Sequence, residues 1–343
     1  MTLGVAVIGA GEMGRKHAAH WREAGSRVVA VHDAALERAR ALANAVGCEA
    51  SASAQEALSR VDVDVVSVCT PTYLHAGHTV SALNAGKHVL CEKPAALTLA
   101  DAQAMRRAAQ RSGRQLRIGF MRRFDPAFHQ LRALLSRVGT PVLSQVTIAA
   151  GVRPKHLMHD ALANGGPIID MCCHVFHLWE TLFEAQAETV SARGYTFSEN
   201  KPELASIEQK ALDSALITLA YPGGSLGQVQ VSWGLPAGIR PTERHTYMGP
   251  DGLITVVWNR QITMRSQAGV TRWTSSGVDA WLEEIRYFQR ELTQGAPRRL
   301  ATIDDGIEAL NVSLAVLESV RSRREVRVRG PLAAIPESGS RAT

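Results

Sequence analysis

The sequence predicts an α/β protein in two parts: a doubly wound parallel sheet, then an α/β unit built on a large open, mainly antiparallel sheet. Through residue 119, short and nearly continuous apolar runs alternate with helical patterns. Beyond "RRFDPAF" the rhythm changes to longer strands of alternating polar and apolar residues, separated by tight turns. A length of 343 residues, with 45% hydrophobic and 20% charged residues, allows one or two ordinary globular cores.

In chain order, "LGVAVIG" is a strand followed by a helix through "HAAHWREAG", and "RVVAVHD" is followed by "LERARALANAVG". Next come "VDVVSVCT" with "LHAGHTVSALNAG", "KHVLCE" with "LADAQAMRRAAQRSG", and a closing strand "QLRIGF". Val/Ile/Leu runs without polar alternation are strands buried on both faces, and their alternation with helices implies right-handed crossovers and a parallel sheet. A helix over residues 126–137 opens the second part. "LITLAYPGGSLGQVQVSW" reads as a hairpin about Pro222, Gly223 and Gly224, and "HTYMGPDGLITVVW" as another about Pro250, Asp251 and Gly252. Helical patterns at 169–183, 278–292 and 303–320 flank these strands. The division falls near Met121, giving units 1–121 and 122–330, and the small polar tail 331–343 is expected to be disordered.

The net charge of +6 is spread over scattered Lys and Arg, which suits solvated helix faces rather than a nucleic-acid surface. It still favours an anionic cofactor or substrate. Cys48, Cys69, Cys91, Cys172 and Cys173 show no paired spacing, and Cys69 and Cys91 sit in apolar runs, as buried thiols of a reducing compartment do. A strand that begins at the third residue leaves no room for a cleavable targeting peptide, and no apolar run approaches a membrane span. The expectation is a cytoplasmic protein with neither membrane nor nucleic-acid partner.

"VAVIGAGEMG" sets Gly9, Gly11 and Gly14, with Glu12 and Met13 between, at a strand-to-helix turn. The first glycine permits the turn, the second admits a pyrophosphate, and the third brings helix and strand together, as in a Rossmann dinucleotide site. Asp33 ends the second strand, where a carboxylate accepts from an adenosine ribose and repels a 2′-phosphate. This favours NAD over NADP, with Arg38 nearby keeping NADP open; a helix N-cap is the other reading of Asp33. Thr70, Pro71 and His75 follow the next strand, either facing the nicotinamide side or forming a plain loop stop and helix surface. Glu92 and Lys93 end the strand after that. Burial lowers a lysine's pKa toward a catalytic range, Glu92 opposes this, and either charge state serves proton chemistry.

"VIGAGEMG", "TPTYLHAGH", "GKHVLCEKP" and "GFMRRFDPAF", in this order, resemble the glucose–fructose oxidoreductase / inositol dehydrogenase (Gfo/Idh/MocA) family. The resemblance covers the first half almost entirely and the second more loosely. It implies a Rossmann domain joined to an open-sheet domain, often in dimers or tetramers. It also implies NAD(P)-linked oxidation or reduction of one hydroxyl or carbonyl of a sugar, cyclitol or related polyol, with Lys93 contacting the reacting oxygen.

In "NGGPIIDMCCHVFHLWETLF", Asp170 and His174 are four apart on one helix face, so the carboxylate can orient a proton-transferring imidazole. The family pattern likewise implies His174 as base and Asp170 as its partner in a Lys-Asp-His set. Pro167 replaces a third glycine, His177 stands where many members carry a second aspartate, and Val175 follows His174 where an acid is frequent, departures that bear on substrate identity. Asp170, His174 and His177 share a face that suits a metal, but no fourth ligand stands at suggestive spacing and no metal is assigned. Arg122 and Arg123 either reach the cleft or bridge the two halves, and His159 lies in a polar loop before the helix, as a substrate contact or a solvated residue. Two rival functions are a redox-neutral, NAD-using glycoside-cleaving enzyme and a nucleotide-binding module without turnover.

Overall fold

The computed structural model describes residues 2–258 and 260–329, so the tail expected to be disordered lies outside the described residues. The first sheet contains β1 (Gly4–Ile8), β2 (Arg27–His32), β3 (Glu49–Ala50), β4 (Val65–Val68), β5 (His88–Glu92) and β6 (Leu116–Gly119). All its pairings are parallel, in the order β3-β2-β1-β4-β5-β6. Crossovers run through α1 (Glu12–Glu23), α2 (Leu36–Val46), α3 (Ala54–Ser59), α4 (His75–Asn84) and α5 (Leu99–Ser112). Successive strand residues feed opposite layers: Val66, Val89 and Ile118 enter one apolar cluster, and Val5, Val65 and Leu90 the other. That two-sided burial is why these strands carry no polar alternation. Strand order reverses between β1 and β4, which opens a crevice at the carboxyl ends of the strands.

After α6 (Pro126–Leu135) comes β7 (Leu143–Gly151), and then α7 (Gly166–Asp170) and α8 (Cys172–Phe183), which the sequence reads as one helix. They are followed by β8 (Thr189–Tyr195), β9 (Ser214–Ala220), β10 (Leu226–Leu235), β11 (Thr242–Gly249), β12 (Gly252–Val257), β13 (Gln261–Ser266) and β14 (Gly269–Thr274). The chain ends in α9 (Ala280–Gln294), α10 (Ile303–Ser322) and β15 (Val326–Arg327). The nine-stranded order is β14-β13-β12-β11-β7-β10-β9-β8-β15, antiparallel except where β10 runs parallel to β7. Both hairpins form, at Ala220–Leu226 and Gly249–Gly252. Along β10 every second residue is buried, so Val229 and Val231 pack with Phe128, Phe176, Trp179 and Val316 while Gln228 and Gln230 face outward. Gly227 makes room for α8: a Cβ there would meet the Trp179 ring at 2.3 Å.

The last helices return to the first sheet. Ala280, Ile285 and Phe288 join the cluster of Val5, Val28 and Trp21, and Ile303, Ile307 and Leu310 join that of Val89 and Ile118. Apolar stripes on α9 and α10 thus cover a sheet formed some 200 residues earlier, and Ala301 bridges to Ile118 at its edge. Ion pairs cross the same junction, Arg117 with Glu291 of α9 and Arg123 with Asp305 of α10, while Arg122 pairs with Glu243 of β11. All five cysteines are free thiols. Among the described residues no helix is long and apolar enough to cross a membrane.

Candidate active site

β1 delivers the chain into Gly9 at φ +99°, where a Cβ would lie 2.6 Å from the Cys69 carbonyl oxygen. A Cβ on Gly14 would lie 1.8 Å from the Gly9 oxygen, so glycine there sets the approach of α1 to β1. Gly11 differs, because its Cβ would meet nothing within 4 Å and would point into open space. It is also the N-cap of α1 and supplies no side-chain cap, which leaves the N–H groups of the turn through Glu12 and Met13 for a phosphate. The turn therefore fits a dinucleotide pyrophosphate. Gly11→Val should leave the thermal midpoint unchanged and weaken NAD binding by about tenfold or more, the value of one charged hydrogen bond. Gly14→Ala should lower both, as calorimetry and melting curves would register.

Asp33 is buried at the tip of β2 and its carboxylate is already engaged. Oδ2 accepts the Ala10 N–H at 2.8 Å, tying Asp33 to the glycine turn, while Oδ1 accepts from Ala35 N–H and Arg38. Burial alone would raise its pKa; the two backbone donors and Arg38 hold it below the usual value, so it stays charged at the tip of β2. Arg38 is largely exposed, and its charge offsets part of that of Asp33. Asp33 thus serves its own turn as well, through the Ala35 N–H at the start of α2.

Lys93 stands at the carboxyl end of β5. Its Nζ donates to Asp170 Oδ1 at 2.5 Å and to the Asp170 carbonyl oxygen at 3.0 Å. Asp170 Oδ2 accepts from Asn164 Nδ2 at 3.0 Å, and Asn164 Oδ1 accepts from Thr72 Oγ1 at 3.0 Å. This chain of contacts ties the turn after β4 to the segment before α7. Burial by itself would lower the lysine pKa, but the Asp170 carboxylate outweighs it and the net shift is upward. The lowering that burial alone implied is overturned, and of the two charge states left open by the sequence Lys93 takes the ammonium, a donor.

The partnership expected between Asp170 and His174 is corrected as well. The helix breaks at Met171, between α7 and α8, and both Asp170 oxygens are taken by Lys93 and Asn164. A cation at contact distance holds a carboxylate more strongly than a neutral imidazole does. His174 instead lies edge-on to Phe120, ring centroids 5.9 Å apart, and stays partly exposed. Its Nδ1 is buried without a hydrogen-bond partner among the described residues, so Nε2 is the accessible nitrogen. Burial, then the charges of Lys93 and Arg122, push its pKa well below the ordinary value. Lys93 and His174 are therefore close enough to feel each other, the one charged and the other neutral.

Other candidates turn inward. Thr70 and Pro71 are half-buried at the end of β4, with Thr70 Oγ1 unpartnered among the described residues. His75, expected beside the nicotinamide, is buried with Nδ1 2.8 Å from the Pro94 oxygen and Nε2 2.9 Å from the Thr70 oxygen, joining the loops after β4 and β5. Glu92 is buried too, with Oε1 against His17 Nε2 at 3.0 Å and Oε2 accepting the Lys93 N–H at 3.1 Å. Of the substrate candidates, Arg122 forms a two-pronged pair with Glu243 at 2.6 and 2.8 Å, and Arg123 pairs with Asp305 at 3.2 Å. His159 is buried and accepts the Arg153 N–H at 2.9 Å; His177 is buried and stacks on Phe120 at 4.2 Å. Ion pairing takes the two arginines and ring packing the two histidines, which leaves His159 Nδ1 and His177 Nε2 buried without a hydrogen-bond partner among the described residues. Sequence reasoning missed Asn164, Glu243, His17 and Ser67. Only His17 carried a signal, since it lies on the helix face of the apolar Ala18 and Trp21.

Residues 3–120 match the model of an oxidoreductase family with an NAD-binding Rossmann fold, and residues 128–254 match the GFO/IDH/MocA C-terminal domain. The chain is 34% identical over 365 aligned positions to D-glucoside 3-dehydrogenase of Escherichia coli, covering 95% of this chain and 97% of the relative. It is 27% identical over 336 positions to myo-inositol 2-dehydrogenase of Thermotoga maritima, covering 94% and 98%. The crystal structure of an oxidoreductase domain protein from Kribbella flavida superimposes with a TM-score of 0.84 at 25% identity, over 96% of this chain and 100% of that one. The chain belongs to the Gfo/Idh/MocA family of NAD-binding oxidoreductases.

Proposed function

We propose that the chain transfers hydride between NAD and a secondary hydroxyl or ketone of a sugar, a cyclitol or a related ring polyol. The observation that carries this reading is the ammonium of Lys93, locked on Asp170 beside the dinucleotide crevice, with a neutral His174 within its field. NAD, when bound, supplies the hydride acceptor. Lys93 donates a hydrogen bond to the substrate oxygen and stabilises the negative charge that develops there. His174 Nε2 accepts the hydroxyl proton, and in the reverse direction returns it. Asp170, itself held by Asn164, orients Lys93. Asp33 and the Gly9–Gly14 turn hold the dinucleotide, and the names of the inositol and glucoside relatives favour a polyhydroxylated ring as substrate.

Inositols, aldoses, sugar acids and glycosides, each assayed with NAD and NADP by absorbance of the reduced cofactor, test the reading. NAD-linked turnover of at least one ring polyol is expected; silence across the panel rejects it. Glycoside cleavage without accumulated NADH assigns the redox-neutral alternative instead. A homodimer or homotetramer through the open face of the second sheet fits the adjacent exposed Leu226, Leu143 and Met248 on neighbouring strands. The buried thiols of Cys91, Cys172 and Cys173 suit a reducing cytoplasm.

A further inference from the structure

Beneath Lys93 lies a closed polar chain that the reaction just described does not use. Trp21 Nε1 donates to Ser67 Oγ at 2.7 Å, Ser67 Oγ lies 3.2 Å from His17 Nδ1, and His17 Nε2 lies 3.0 Å from Glu92 Oε1. The other carboxylate oxygen of Glu92 accepts the backbone N–H of Lys93. His17, Trp21 and Ser67 are fully buried and Glu92 nearly so. An indole can only donate, so Ser67 accepts from Trp21 and its own proton is free to go to His17 Nδ1. That leaves the His17 proton on Nε2, facing the carboxylate. Donation thus converges on the Glu92 carboxylate, from Trp21 through Ser67 and His17 at one oxygen and from the Lys93 backbone N–H at the other.

We propose that His17 is a positioning residue for Lys93, joining the helix that cradles the dinucleotide to the strand end that bears the reacting ammonium. His17 sits on α1, three residues beyond the last glycine of the turn Gly9–Gly14, and Glu92 ends β5. The carboxylate cannot swing away from the Lys93 N–H while Nε2 holds its other oxygen. A rigid side chain 75 positions before Glu92 therefore sets the point from which the Lys93 side chain reaches Asp170. The proposal rests on Lys93 acting at the reacting oxygen.

The test exploits the two ring nitrogens. In His17→Gln the amide nitrogen replaces Nε2 and keeps the donor to Glu92; in His17→Asn the amide reaches only as far as Nδ1. With NAD and the best substrate of the panel, His17→Gln should keep kcat within about threefold. His17→Asn should lose about ten- to a hundredfold, with KM little changed, as expected for a misplacement below 1 Å. Hydrogen exchange of the Lys93 amide gives a readout independent of activity: protection kept in the Gln variant and lost in the Asn variant. His17→Phe should lose as much as Asn, and in a Lys93→Met background it should cost nothing further. Equal turnover of the Gln and Asn variants, equal exchange at residue 93, or full additivity with Lys93→Met overturns the proposal. Unimpaired turnover of Lys93→Met would instead reject the catalytic reading of Lys93, and the exchange comparison would then decide the positioning alone.

Discussion

Lys93→Met is expected to cut kcat by about 10²- to 10³-fold, the range for loss of one preorganised donor to a developing oxyanion. NAD affinity should stay nearly intact, because the pyrophosphate turn and Asp33 stand on other strands. The same substitution strips Asp170 of its cation. Asp170 is 8% exposed and Lys93 20%, so the carboxylate is left charged in a poorly hydrated place. Breaking such a pair from one side costs on the order of 3 kcal/mol, reduced here by the partial exposure of Lys93. Adding Asp170→Asn removes the stranded charge. The double variant should therefore recover most of the lost thermal stability at neutral pH while turnover stays low. Melting curves and single-turnover rates on the single and double variants separate the two roles, and recovery of turnover in the double variant would remove Lys93 from the chemistry.

What the sequence discloses about this site, and what it hides, follows from the range of the interactions. Gly9, Gly11 and Gly14 are legible because their spacing marks one strand-to-helix turn, and Asp33 because it ends the next strand, although its bond to Ala10 spans 23 positions. Lys93 is legible for a similar reason: an apolar strand in a parallel sheet must end at the crevice. The partner of Asp170 is not legible. Periodicity runs unbroken through residues 169–183, whereas the backbone breaks at Met171 and turns Asp170 away from His174 toward a lysine 77 positions earlier. Arg122 likewise meets Glu243 across 121 positions, a pairing that no local pattern announces. The histidines mislead in a further way. His75, His159 and His177 have the residue type of a site and the burial of a core, and only the contacts behind them decide. The return of α9 and α10 to the first sheet was hidden because an apolar stripe states that a helix must be covered, not by which sheet.

His174→Asn should lower turnover by about 10²- to 10⁴-fold, the usual value of a positioned proton acceptor. The pH dependence makes the assignment specific. An imidazole accepts a proton only when neutral, and burial, followed by the charges of Lys93 and Arg122, holds His174 well below the ordinary histidine pKa of about 6.5. Turnover of the unmodified enzyme should thus stay level as pH falls through about 6.5 and decline only below it, and the Asn variant should lack that acid limb. Stability must be followed in parallel, because the same physics acts on the fold. His75 and His245 are also depressed, and His177 is pushed down to about 3, each chiefly by burial. For a group whose folded pKa is lowered, the unfolded chain takes up the proton first. The stabilisation is then complete above the unfolded value and is lost as pH falls toward the folded one. Melting temperature should begin to drop near pH 6.5 while kcat still holds, so the two profiles part in the mildly acidic range. An acid limb of kcat centred on the ordinary histidine pKa, or an unchanged limb in the Asn variant, would assign the proton to another group.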